Sequence, residues 1–84
     1  MNYRIVYDKP GRLRLRCGMY AFQERQGFAL AALLRENPAV QSAEVTYRNG
    51  GILIYYQPGQ REAVLQQVDA IQKKRLGRGG WAGN

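Results

Sequence analysis

A chain of 84 residues, 45% hydrophobic and 11% aromatic, is one small folded domain, and none of its apolar runs approaches the roughly 20 residues that span a bilayer. It has no histidine and one cysteine, which removes the commonest general base and metal ligand and excludes an internal disulfide. The formal charge of +7 favours an anionic partner, while the six acidic residues are scattered rather than paired for acid–base work, so no enzymatic activity is expected.

Asn2-Tyr3-Arg4 leads into alternation rather than an apolar block, so the chain does not open on a signal peptide. The expected setting is cytoplasmic, as a soluble domain or as part of a membrane protein at its inner face. Residues 3–7 are rich in β-formers, and Asp8-Lys9-Pro10-Gly11 interrupts them. Either one strand is kinked at Pro10-Gly11, or a short lead-in precedes the true first strand; we take the second.

Arg12-Leu13-Arg14-Leu15-Arg16-Cys17 alternates with the period of a strand. Leu13 and Leu15 face a core, and Arg12, Arg14 and Arg16 form a row on the other face. Cys17 at the strand end reads as a small buried hydrophobe. The functional alternative is a lone thiolate lowered in pKa by Arg16, able to bind Cu(I) or Zn(II) with Met19 or with ligands from a second molecule.

From Gln23 to Glu36 the apolar spacing becomes helical through Gly27, Leu30 and Leu34, with Ala31 and Leu33 beside them. Asn37-Pro38 ends that helix, and Val40 follows as a buried residue. Asn49-Gly50 between two β-rich runs predicts a two-residue hairpin turn. That register pairs Tyr47 with Ile52 and Val45 with Ile54 on the core face. Thr46 then opposes Leu53, and Glu44 opposes Tyr55, on the open face. Pro58-Gly59 leads into a second helix, Gln60 to Lys74, buried along Val64, Val68 and Ile71 with Leu65 adjacent. Lys73, Lys74 and Arg75 suit its C-terminal dipole.

The order β-α-β-β-α predicts an α+β domain of the ferredoxin-like βαββαβ plan, with two helices on one face of an antiparallel sheet. Its fourth strand is short, absent or truncated, because residues 75–84 are poor strand material. Residues 1–76 form the domain and 77–84 a flexible Gly-rich tail containing Trp81. A missing fourth strand leaves an edge through which two copies can pair as a homodimer.

The string Pro10-Gly11-Arg12-Leu13-Arg14-Leu15-Arg16, the helix end Leu34-Arg35-Glu36-Asn37-Pro38-Ala39-Val40 and the following Ala43-Glu44-Val45 resemble the heavy-metal-associated domain over about residues 3–74. The resemblance is to the divergent branch near the N-termini of bacterial heavy-metal-translocating P-type ATPases. Family members commonly end this helix with Leu-Pro-Gly-Val; Asn37-Pro38-Ala39-Val40 stands there instead. Metal-binding members carry Gly-Met-x-Cys-x-x-Cys after the first strand, two thiolates for a soft ion. Here Gly18-Met19 puts Ala21 and Glu24 at the thiol positions, while aligning on Leu30, Leu34 and Val40 puts Gln23 and Gln26 there. Neither supplies a cysteine, so no metal pair carries over, and Cys17 with Met19 is what remains for Cu or Zn.

The resemblance implies a non-catalytic regulatory or docking module of a metal-transport ATPase system, as a domain of a longer chain. Its partners would be other cytoplasmic domains of the ATPase, an acidic protein surface or anionic lipid. A basic open-sheet nucleic-acid-binding domain is the alternative: Arg12, Arg14, Arg16 and Arg48 would contact phosphates and Tyr55 would stack a base. Against it, Gly51-Ile52-Leu53-Ile54-Tyr55-Tyr56 lacks the Lys/Arg-Gly-aromatic signature of RNA-recognition sheets.

Overall fold

A computed structural model describes residues 3–18 and 22–71. The arginine–leucine alternation forms a strand, Arg12–Arg16, in which Leu13 and Leu15 are fully buried while Arg14 and Arg16 are exposed. What precedes it is a strand in its own right and not a lead-in. Arg4–Lys9 (β1) turns back at Pro10-Gly11 and pairs antiparallel with Arg12–Arg16 (β2). Lys9 lies opposite Arg12, so Pro10 and Gly11 are the two residues of the turn. Gly11 has φ +83, the left-handed conformation that follows proline in a type II turn. The Pro-Gly break is therefore a reversal of the chain.

The remaining elements are α1 (Glu24–Arg35), β3 (Val40–Thr46), β4 (Gly51–Tyr56) and α2 (Arg61–Ile71). The strands form one antiparallel sheet in the order β1-β2-β4-β3. The observed element order is thus ββαββα, and the strand expected after the second helix has its place beside β2 filled from the N-terminal side. The continuation of the second helix to Lys74, the Lys73-Lys74-Arg75 cluster and the tail with Trp81 lie outside the described residues.

Both helices bury their apolar stripes on the same sheet face. Leu30 and Leu34 of α1 and Val64, Val68 and Ile71 of α2 meet Leu13, Leu15, Ile52, Ile54, Tyr56 and Ala43 from the strands. Gly27 lets α1 lie close, since a Cβ there would stand 3.3 Å from Val45 Cγ1. Gln67 Nε2 donates to Leu33 O at 2.8 Å, and Asn37 Nδ2 to Gln67 Oε1 at 3.0 Å, joining the end of α1 to α2. Arg61 chelates Asp8, with Nη2 at 2.8 Å from Oδ2, which fastens α2 to β1. At this exposure, solvent screens the ion pair and it contributes little to stability. No helix among the described residues is long and apolar enough to cross a membrane.

The β3–β4 register differs from the sequence expectation. Val45 pairs with Ile52, Glu44 with Leu53 and Ala43 with Ile54, so residues 47–50 form a longer loop. The Gly50 N–H donates to Thr46 O at 3.0 Å, and Asn49 Oδ1 accepts from Gly51 N–H at 2.8 Å. Gly50 also receives the Cys17 N–H on its carbonyl at 2.7 Å, which holds the loop against the end of β2. The slip is by two residues, so every side chain keeps its face. Val45, Tyr47, Ile52 and Ile54 still serve the core side.

Candidate anion-docking face

The sheet face opposite the helices follows from register. Across β1 and β2, Arg4 lies opposite Arg16, Tyr7 opposite Arg14, and Lys9 opposite Arg12. A bulge at Val6 makes this possible, because Arg4 and Tyr7 are three residues apart and would otherwise point to opposite faces. Across β2 and β4, Arg12 lies opposite Tyr55 and Arg14 opposite Leu53. The face therefore presents Arg4, Lys9, Arg12, Arg14 and Arg16 on two adjacent strands. Glu44 is the acid on it, one strand beyond Leu53.

Like charges directly opposite each other destabilise a sheet, and here Arg4 meets Arg16 and Lys9 meets Arg12. The ion pairs among the described residues belong to Arg61 on the helix side, so these charges are not neutralised across the face. Arg12 is held differently from the others. Its guanidinium carbon lies 4.8 Å from the Tyr7 ring centroid and 5.6 Å from that of Tyr55. Such contacts stabilise a cation without cancelling its charge. Arg12 Nε is covered from solvent on this face and has no hydrogen-bond partner, a donor left unsatisfied. Lys9 Nζ stands 5.9 Å from the Tyr7 ring. Beside this stack is a shallow depression of about 190 Å³, lined by Arg14, Arg16, Glu44, Thr46, Asn49 and Leu53, among others.

The sequence-derived residues divide into two groups. Arg12, Arg14, Arg16 and Tyr55 come together on the open face as expected. Arg48 does not join them: it lies over the Tyr47 ring at 5.9 Å, and Tyr47 packs towards the helix side near Gly27. Arg4, Tyr7 and Lys9 belong to the face and escaped the sequence reading. Their signal was the Pro-Gly dipeptide between two β-rich runs, a hairpin pattern.

Cys17 is 3% exposed, within the core cluster that includes Phe22. Burial pushes its thiol pKa up. Arg16 points to the other face, so the reading of a thiolate lowered by Arg16 is corrected. Met19 and Ala21 lie outside the described residues. Glu24 opens α1, and Gln26 Oε1 accepts the Gln23 N–H at 2.8 Å, the return arm of a helix-capping pair. The positions that one alignment gives to metal thiols are thus used to start a helix. Among the described residues, no three of His, Cys, Asp and Glu converge as a metal-ligating group.

No protein-family model and no curated protein matches this chain.

Proposed function

We propose that this chain is a non-catalytic docking module of a heavy-metal transport ATPase system, working at the cytoplasmic face of a membrane through the open face of its sheet. The observation that carries the docking reading is the set of Arg4, Lys9, Arg12, Arg14 and Arg16 on one face, with Glu44 the acid beside them and no ion pair to any of the five among the described residues. A solvated sheet face needs polar residues, but it does not need like charges set opposite one another. The link to metal transport rests on the Pro10–Arg16 string and the element pattern described above. In this reading the fold is a ferredoxin-like arrangement in which β1 stands where a C-terminal fourth strand would pair. Docking regulates or positions, and the loop after β2 does not carry metal as a thiol pair.

The specific observation favouring nucleic acid as a second reading is Tyr7 and Tyr55 beside arginines on an open sheet. Both rings flank Arg12, however, so each already has a guanidinium over it where a base would have to compete.

Two measurements test the first reading. Polyglutamate at low salt is expected to bind the full chain and to bind the triple variant Arg12→Ala, Arg14→Ala, Arg16→Ala far more weakly; equal binding by the two would overturn the docking face. Titration with Zn(II) and Cu(I) under reducing conditions is expected to give no tight stoichiometric uptake. Uptake that disappears in Cys17→Ser would reinstate a metal site. The assignment to a transport system further requires membrane-spanning segments and a phosphorylated-aspartate motif in the same or neighbouring reading frames.

A further inference from the structure

We propose that the Tyr7–Arg12–Tyr55 stack is a phosphate clamp, and that the phosphate it seats belongs to the headgroup of an anionic phospholipid. The inference rests on the docking reading above and names the partner of that same face.

The clamp begins with Arg12. A guanidinium presents donors in a planar fork that matches a phosphate, and stacking on aromatic rings fixes the plane of that fork. Here the two rings hold Arg12 at 4.8 and 5.6 Å, with Nε covered and unpartnered. Arg12 as a whole is only half-buried, and its Nε alone is a buried atom without a partner. A guanidinium held between two rings at the cost of one unsatisfied donor is arranged for an oxyanion that its remaining donors can take. Lys9 and Arg14 flank it and add charge without competing for its geometry.

Charge complementarity and the surroundings of the clamp select the source of the phosphate. Binding of single-stranded nucleic acid relies on rings that are free to stack on bases, and both rings here are engaged with Arg12. On the edge strand β1, Val6 at the bulge beside the cations is 42% exposed, while Ile5, opposite Leu15, belongs to the helix side. Cations, tyrosines with apolar bodies and polar tips, and an exposed valine at the rim are the composition of a surface that rests in a lipid headgroup layer. Arg4 and Arg16 extend the cationic stripe along the strands, so several headgroups are met at once.

The test is co-sedimentation of the full chain with large vesicles of phosphatidylcholine, alone or mixed with phosphatidylglycerol, at low and at physiological salt. Binding is expected to the mixed vesicles only and to fall with salt. Arg14→Gln is expected to weaken it by roughly fivefold, the worth of one basic residue near an anionic surface. Arg25→Gln, which removes the same charge from the exposed side of α1, is expected to change it much less. Arg12→Lys keeps the charge and loses the fork, so a several-fold loss is expected. Wild-type binding by Arg12→Lys would overturn the clamp. Circular dichroism and urea midpoints establish that each variant is folded; if the Arg12 variant is not, Tyr55→Leu, which removes one ring of the stack and no charge, carries the test, with a several-fold loss expected and wild-type binding overturning the clamp. A chain that binds polyglutamate but not the mixed vesicles overturns the lipid assignment and leaves the docking face standing. Binding to neither removes both. Vesicle binding displaced by millimolar inorganic phosphate at constant ionic strength would reassign the clamp to free phosphate. A single-stranded oligonucleotide bound more tightly than the vesicles would reassign it to nucleic acid.

Discussion

Tyr3 shows how a single side chain ties the edge strand to the rest of the domain. Its hydroxyl donates to Asp69 Oδ1 at 2.9 Å, joining the start of the sheet to α2. Partial burial and that acidic partner push its pKa up from 10.0 to about 12. Both causes favour the protonated phenol in the folded chain. The stabilisation is therefore present in full below pH 10 and is lost as the pH rises towards 12. Urea unfolding of the wild type and Tyr3→Phe should show a difference that is constant below pH 10 and shrinks above it. A difference that grows with alkaline pH would contradict this linkage. Cys17 is the same physics without a partner: burial raises its thiol pKa, and its backbone N–H, held by Gly50, does the local structural work.

At the scale of elements, the two helices were legible because Leu30, Leu34, Val64, Val68 and Ile71 recur with the helical period. β2 was legible because Leu13 and Leu15 alternate with arginines. β1 was not, since the bulge at Val6 breaks the period of two and moves Tyr7 to the face of Arg4. That one irregularity also hid half of the candidate site. Arg12, Arg14, Arg16 and Tyr55 could be read from alternation, whereas Arg4, Tyr7 and Lys9 depend on a bulge and a turn. Arg48 was misplaced for a related reason, because the hairpin loop runs from Tyr47 to Gly50 rather than closing at Asn49-Gly50. The longer loop depends on Gly50, whose φ is +73. A Cβ there would stand 2.5 Å from Gly18 O and 2.6 Å from Cys17 O, both backbone atoms that cannot swing aside. Gly50→Ala should cost about 2 kcal/mol or more in urea unfolding, from backbone strain and displacement of the end of β2. A loss near zero would mean that the loop does not pass this close.

For the whole molecule, one face of a single sheet supplies the core and the other faces outward, so stability and partner contact are assigned to opposite sides. Ile54 is fully buried at the centre of the core face, opposite Leu13 on one side and Ala43 on the other. Ile54→Ala should cost roughly 2–5 kcal/mol, a large share of the ~5–15 kcal/mol that a domain possesses. A urea midpoint shifted by less than the equivalent of about 1 kcal/mol would show that the core is not built as described. Substitutions of Arg14 or Arg16, by contrast, should leave the midpoint nearly unchanged or raise it by relieving repulsion.

The central claim is that the outward face of this sheet is where the domain meets its partner. Amide chemical shifts of the labelled chain, followed while polyglutamate is added at low salt, test it most directly. Shifts are expected at Arg4–Lys9, at Arg12–Arg16 and at Tyr55, with α1 and α2 little changed. Shifts concentrated on the helices, or none at concentrations where binding is saturated, would contradict it.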